Sequence, residues 1–487
     1  MFSIFILFLQ LASSPAELRA DFNQNTGTIE GKLLIKNIQR RTNLYFTYPN
    51  KYRNKAPYYN DLTRFKLYPS HFNQGYLRIN EIYYNQRKLN FSWVRINWIK
   101  RGAVKITIPP TLKLNGQLEI HFTTAIPKKF GLFGCIKGRC WLGAPWYPIP
   151  VPLINGKYET TSPPLPWKHK VKVTANKNLQ LFLEKPAKGK VENSGRVTFF
   201  PLITGNNFKQ YCFGKFCLYH YSPLHSFWNI FSGIKINQVL TFLKRETQIE
   251  STRKIWLLET PLRQNIALPV QNNKIFLAHK IFQIIPTQYM LDFHRQSLLK
   301  AVYELVFRQK LSSLENNKDL VWLSGLLARH RLGKRKNVAS FLSKFEFIPQ
   351  IDVIIKNPRM EFSNSFFSGP GNKDLFRESA LKWNNHLPQG NRIYNKLLDL
   401  LGKVELENFL KSYLENNKPF RNYLNEYTSR DHSWFFRQWL GKYPEVNYFL
   451  KKLKKLKKHR GFYFYKLVVG KETEILFKEP VEIRVTA

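Results

Sequence analysis

The hydrophobic pattern of this chain changes period twice, and that limits its fold more than any single motif. Between about residues 20 and 205, short apolar pieces alternate at a period of two and are separated by turns. Gly27-Thr28-Ile29-Glu30-Gly31-Lys32-Leu33-Leu34-Ile35, Leu118-Glu119-Ile120-His121-Phe122 and His169-Lys170-Val171-Lys172-Val173 are three such pieces. Alternation in short runs belongs to half-buried strands and predicts a β-rich sandwich. Residues 145–152 and Ser162-Pro163-Pro164 are expected loops, since proline removes a donor and restricts its predecessor. A mixed region follows to about 340. In it, Ile255-Trp256-Leu257-Leu258-Glu259 and Lys274-Ile275-Phe276-Leu277-Ala278 read as buried or half-buried strands. Leu298, Leu299, Val302, Leu305 and Val306 then follow in steps of three and four, predicting a helix over about 295–311 with one packed face. A second helix holds Val321-Trp322-Leu323 and reaches Ala328.

Beyond 341 the steps of three and four dominate. Leu397, Leu398 and Leu401, then Leu406, Phe409, Leu410 and Tyr413, predict two helices separated near Gly402. Residues 435–440 and 447–456 continue this helical pattern, broken by Gly441 and Pro444. The end of the chain returns to period two, with strands expected over 461–469, 475–477 and 481–485 and a turn at Gly470-Lys471. The fold class is therefore multidomain α+β: a β sandwich over 21–205, a mixed α/β domain over 206–340, a helical domain over 341–460, and a short β segment or partial β domain over 461–487.

With 487 residues the chain can bury several cores, and its 43% apolar content is that of a folded protein. The formal net charge of +45 points to an anionic membrane or envelope surface, to nucleic acid, or to a lysine-rich background. Nucleic-acid binding is the least supported, because the lysines are spread throughout and no finger, paired RNP strands or glycine-rich phosphate loop occurs. The densest basic run is Lys451, Lys452, Lys454, Lys455, Lys457, Lys458 and Arg460, with Leu453 and Leu456 on one expected helical face. It reads as a solvated helix end, or as a peripheral contact for anionic lipid or polymer. A second patch, Arg329-His330-Arg331 with Lys334-Arg335-Lys336, is broken by Gly333.

Residues 2–9, Phe-Ser-Ile-Phe-Ile-Leu-Phe-Leu, suit the apolar core of an export signal, with Ser14-Pro15-Ala16 as small residues for cleavage; a basic start is missing. Residues 1–16 are thus an expected signal peptide, and the location expected is exported, periplasmic or extracellular. Cys135 and Cys140 share their spacing with Cys212 and Cys217. Two local disulfides are expected in an oxidising compartment, although four cysteines allow three connectivities, and a metal site using all four is a weaker alternative.

In His-Glu-x-x-His, the i,i+4 spacing sets two imidazoles on one helix face to hold zinc, and the Glu activates the bound water. Tyr303-Glu304-Leu305-Val306-Phe307 has this form with tyrosine and phenylalanine at the ligand positions. Several further anchors follow the same order as in one known family. They are Phe130-Gly131-Leu132-Phe133-Gly134 with Trp146-Tyr147-Pro148, Lys300-Ala301-Val302 leading into Tyr303, and Asp319-Leu320-Val321-Trp322-Leu323-Ser324-Gly325-Leu326-Leu327-Ala328. Phe409-Leu410-Lys411-Ser412-Tyr413-Leu414 and Phe435-Phe436-Arg437-Gln438-Trp439-Leu440 complete the series. Together they resemble the M1 family of zinc aminopeptidases, gluzincins with an amino-terminal β sandwich, a thermolysin-like domain and a helical carboxyl-terminal region. The resemblance spans roughly residues 25–460.

The resemblance implies a degenerate site. Tyr303 and Phe307 stand where the zinc-binding histidines belong, and the third ligand, a Glu, falls on Gly325 or Leu326. The transition-state tyrosine falls on Leu387 in Leu387-Pro388-Gln389-Gly390, and the amine-binding Glu falls on Asn272. Glu304 alone is retained, and without zinc it is expected to pair with a nearby cation. His294 and His330 with Asp292 and Asp319 match no metal motif; His220 and His225 fall on opposite faces if their segment is a strand, and are a weak metal candidate if a turn brings them together beside Cys217. No cofactor is expected. The resulting expectation is a non-catalytic M1-like protein that binds a protein, peptide or anionic envelope component. The alternatives are an active metallo-aminopeptidase with displaced ligands and a basic nucleic-acid-binding protein.

Overall fold

The computed structural model describes residues 16–53, 68, 71–96, 99–131, 133–154, 156–160, 164–213, 216–221, 254–261, 267–269, 273–278, 288–311, 314–315, 317–332, 389–440, 446–459 and 462–473. Residues 1–15, His225, Asn272, Lys334 to Lys336, Leu387, Arg460 and the expected strands over 475–477 and 481–485 lie outside them. The described residues fall into two compact units. One lies within Met1–Lys310 and Leu332–Asn385, the other within Leu311–Arg331 and His386–Ala487.

The first unit begins with the expected sandwich. Seven strands lie in the order Lys190–Val197, Trp167–Thr174, Ala16–Asn23, Thr28–Ile38, Gly116–Ala125, Tyr76–Tyr84 and Arg87–Lys88. Alternation sets one face: Leu18, Ala20 and Phe22 are buried while Arg19, Asp21 and Asn23 are exposed. A four-stranded sheet (Ile149–Pro150, Thr42–Phe46, Ile99–Thr107, Phe91–Ile96) and a five-stranded one (Pro186–Lys188, Gln180–Phe182, Leu202–Gly205, Arg139–Leu142, Phe133–Ile136) share its apolar core. Within the loop expected over 145–152, Ile149 and Pro150 pair with Phe46 and Tyr45. Ala16–Asn23 pairs in parallel with Trp167–Thr174, so the sheet joins segments far apart in the chain.

A second five-stranded sheet follows in the same unit, in the order Lys209–Phe213, Phe216–His220, Ile255–Thr260, Lys274–Ala278 and Ala267–Pro269. Its three middle strands are parallel to one another. Ile255–Thr260 is buried at every position, as the near-continuous apolar run of a central parallel strand requires. Helix α1 (Gln288–Leu311) comes next.

The second unit contains α2 (Asn317–Leu332), α3 (Gln389–Leu401), α4 (Lys403–Glu415), α5 (Phe420–Thr428) and α6 (Ser433–Leu440). Gly402 separates α3 from α4 at φ 79°, a conformation open to glycine at little cost.

The run 447–456 is not helical. Val446–His459 is a strand paired antiparallel with Phe462–Thr473, which also absorbs the turn expected at Gly470-Lys471. Leucines three apart look helical, but a bulge between Leu450 and Lys452 lets three steps on one strand match two on the other. Leu450 therefore pairs with Val469, and Leu453 with Leu467. No helix among the described residues is long and apolar enough to cross a membrane.

Candidate functional site

Helix α1 differs from the expectation of one packed face. All seven residues from Ala301 to Phe307 are buried, including Glu304. A helix apolar on nearly all sides loses its stripe, and this one adds a charge that must be compensated. Tyr303 and Phe307, one turn apart, stack with ring centroids 6.1 Å apart and planes at 18°. Glu304 is flanked on its own helix by Lys300 and Arg308, one turn before and one turn after, at 3.6 Å and 4.0 Å. Burial pulls the Arg308 pKa below its usual value, and the Glu304 carboxylate opposes that shift. The retained acid is thus held in an ion-pair row along α1.

The corresponding stretch of α2 is buried from Trp322 to Ala328. Neither Gly325 nor Leu326 offers a carboxylate, and Leu326 is fully enclosed. The first turn of α3 lies directly against this stretch. A Cβ at Gly390 would fall 2.6 Å from the Trp322 carbonyl oxygen, 2.7 Å from the Leu326 nitrogen and 2.8 Å from the Gly325 carbonyl carbon. Glycine at 390 is what permits two helix backbones to come this close. Leu387 lies outside the described residues, while Gln389 and Gly390 open α3.

Around the start of α2 lies a polar network that the sequence did not announce. Asp319 Oδ1 accepts from Trp322 Nε1 at 2.7 Å and from Arg421 Nη2 of α5 at 2.6 Å. Glu315 Oε1 accepts the Phe420 backbone N–H at 2.6 Å and the Tyr413 hydroxyl at 3.0 Å, so it caps α5 from another segment. Burial raises the Glu315 pKa, against the pull of these donors and of Arg421. Asp319 was the only member with a local signal, an acid in a helix's first turn. It joins helices here, through its pair with Arg421.

The remaining candidates are dispersed. His220 is buried at the end of its strand. His330 is half-buried beside Tyr394, and burial and Arg331 lower its pKa. Asp292 and His294 lie on α1. Asn273, next to Asn272, is buried, and its amide donates to the Lys254 carbonyl. Among the described residues no three His, Cys, Asp or Glu side chains gather closely enough to hold a metal ion.

The cysteines form the two local disulfides, Cys135–Cys140 and Cys212–Cys217. Each joins directly opposed residues of an antiparallel hairpin. The first closes over Lys137-Gly138, both with positive φ, the backbone of a tight two-residue turn. In the anchor before it, Gly131 has φ 115°, and a side chain at Gly134 would collide with the Lys129 carbonyl. Trp146 and Tyr147 are fully buried. Trp146 donates to the Phe200 carbonyl, and the Tyr147 hydroxyl accepts the Phe200 N–H and donates to His169 Nε2.

The chain is similar in structure to Legionella pneumophila aminopeptidase A, solved in complex with aspartic acid. The TM-score is 0.50 at 12% identity, over 93% of this chain and 52% of that one. Yeast LTA4 hydrolase, solved in complex with bestatin and in its native form, gives TM-scores of 0.46 and 0.44. The identities are 10% and 11%, over 85% of this chain and 64% of that one. No family model matches the chain, and no curated protein does. It spans about half the length of the aminopeptidase it matches. The architecture is a multidomain α+β one, with distinct sheets and a helical carboxyl-terminal region, consistent with the M1-peptidase-like fold.

Proposed function

We propose that the chain is an M1-peptidase-like protein without hydrolytic chemistry, acting in binding or assembly at the cell envelope. The observation that carries this reading is the buried Tyr303–Phe307 stack, with Glu304 tied to Lys300 and Arg308 on the same helix. In the M1 family a zinc ion supplies the acidified water and the electrophile at this point. The residues present do not fit that ion. Two stacked rings replace its imidazoles, and glycine or an enclosed leucine replaces its carboxylate. Glu304, engaged by two cations, lacks the metal-bound water on which a general base would act.

The partner class we infer is a protein, a peptide or an anionic envelope component. Two disulfides support an oxidising compartment, and the apolar residues 2–9 support export. The test is bound metal in protein purified without chelators, with the same sample assayed against a mixed peptide library. Absence of both zinc and cleavage is the expected result. Zinc near one per chain, together with cleavage that Glu304→Gln abolishes, would restore the aminopeptidase reading.

A further inference from the structure

The two disulfides have the same spacing in sequence, and the structure separates them by what lies beyond each sulfur. Cys212 and Cys217 face each other across the hairpin Lys209–Phe213/Phe216–His220. Cys217 is wholly enclosed, and its strand lies between Lys209–Phe213 and the central strand Ile255–Thr260. Lys209–Phe213 is the outer strand of that sheet among the described residues, and Cys212 on it is exposed, as are Gln210 and Tyr211. The edge strand thus carries one sulfur to solvent while the next strand buries the other.

Thiol–disulfide exchange is an in-line displacement: the attacking thiolate approaches one sulfur from the side opposite the sulfur that leaves. At Cys217 that side is occupied by Ile255–Thr260, whose Trp256 is buried and stands in register with Cys217. At Cys212 it opens past the sheet edge. Gln210 Nε2 also donates to Cys212 Sγ at 3.1 Å, a contact that supports negative charge on this sulfur when it leaves or attacks as thiolate. Cys135–Cys140 also sits at a sheet edge, yet its outer side is closed. The Cys135 N–H bonds the Pro127 carbonyl at 2.9 Å, and a Cβ at Gly27 would lie 4.0 Å from Cys135 Sγ. The Gln24 amide bonds the turn of that hairpin through the Gly138 carbonyl at 3.0 Å. Cys140 is buried and Cys135 half-buried.

We propose that Cys212–Cys217 is a thiol-exchange site for a dithiol partner, with Cys212 as the sulfur that enters the mixed disulfide, while Cys135–Cys140 is a permanent crosslink. One partner thiolate attacks Cys212 Sγ, the Cys212–Cys217 bond breaks, and its electron pair and a proton from solvent go to Cys217. The partner's second thiol, deprotonated, then attacks the partner sulfur bonded to Cys212. That closes the partner's disulfide and releases the Cys212 thiolate beside Gln210, which takes up a second proton. Two electrons and two protons have then passed from the dithiol to the cystine. Among the described residues the edge strand pairs only with Phe216–His220, so the exchange opens a covalent clasp on that edge. This goes beyond the binding role proposed above and does not rest on it.

The test uses the folded full chain and dithiothreitol as the dithiol, with acid quenching, alkylation after denaturation and mass spectrometry of the four cysteines. Cys212–Cys217 is expected to open at least about tenfold faster than Cys135–Cys140, while the chain stays folded by circular dichroism. Equal opening rates, or opening of Cys212–Cys217 only at the rate of global unfolding, would overturn the proposal. Cys217→Ala and Cys212→Ala then identify the exchanging sulfur, each full chain being challenged with oxidised glutathione. Cys212, left free by Cys217→Ala, is expected to form the mixed disulfide on the order of a hundredfold faster than Cys217 left free by Cys212→Ala. Comparable rates, or faster reaction at Cys217, would overturn it as well. The first experiment uses the native sequence, so its outcome holds whether or not a variant folds.

Discussion

His169 shows how a single buried side chain ties this fold to pH. It stacks on Trp167 at 4.1 Å, receives the Tyr147 hydroxyl at Nε2, and donates from Nδ1 to the Trp167 carbonyl. Every polar atom of the neutral ring is satisfied, and burial lowers its pKa from 6.5 to about 4. The unfolded chain binds this proton at higher pH than the folded one. The stabilisation is therefore complete above about pH 6.5 and declines as pH falls toward 4, by about 3 kcal/mol in all. Urea midpoints measured across that range should show the decline, and His169→Gln should remove it. Glu304→Gln gives a second residue-scale expectation. Lys300 and Arg308 are 30% and 22% exposed, so solvent moderates the loss of their counter-charge to about 1–2 kcal/mol. A loss of that size in chemical denaturation marks Glu304 as structural. An unchanged midpoint would contradict the ion-pair row.

At the scale of elements, the first turn of α3 packs backbone to backbone against α2 at Gly390. Gly390→Ala would push a methyl group to within 3 Å of the α2 backbone, which has no flexible end to move aside. Overpacking of this kind costs about 1–3 kcal/mol, to be read as a lowered denaturation midpoint. Elements were legible in the sequence wherever one periodicity acted alone. The sandwich strands, α1, α2 and the break at Gly402 all had such patterns. Where two effects overlapped, the pattern misled. The Leu450–Leu453–Leu456 spacing is three, as in a helix, but in the structure it lies within a strand whose register shifts between Leu450 and Lys452 and again between Lys455 and Lys457. The burial of all seven residues from Ala301 to Phe307 was hidden because Glu304 is polar in sequence and is compensated in the interior by Lys300 and Arg308. The Glu315–Phe420 cap and the Asp319–Arg421 pair each join residues about a hundred positions apart, and no local spacing encodes them.

For the whole molecule, the decisive contact is also non-local. The register Ala16↔His169 to Asp21↔Thr174 sets the first described strand inside the seven-stranded sheet. Removing residues 16–23 would split that sheet between Trp167–Thr174 and Thr28–Ile38. The truncated chain is expected to lose cooperative unfolding of the sandwich, seen as a vanished or much broadened transition by tryptophan fluorescence. Retention of a sharp transition would show that the remaining strands close without it.

That same pairing imposes an order of events on a growing chain. The hairpin of Ala16–Asn23 with Thr28–Ile38 can form early, but its outer strand has no neighbour until residues 167–174 are made. At ordinary elongation rates this leaves one β edge open for roughly seven to thirty seconds. Arg19 and Asp21, alternating along that strand, are the charges that discourage a second nascent chain from pairing there first.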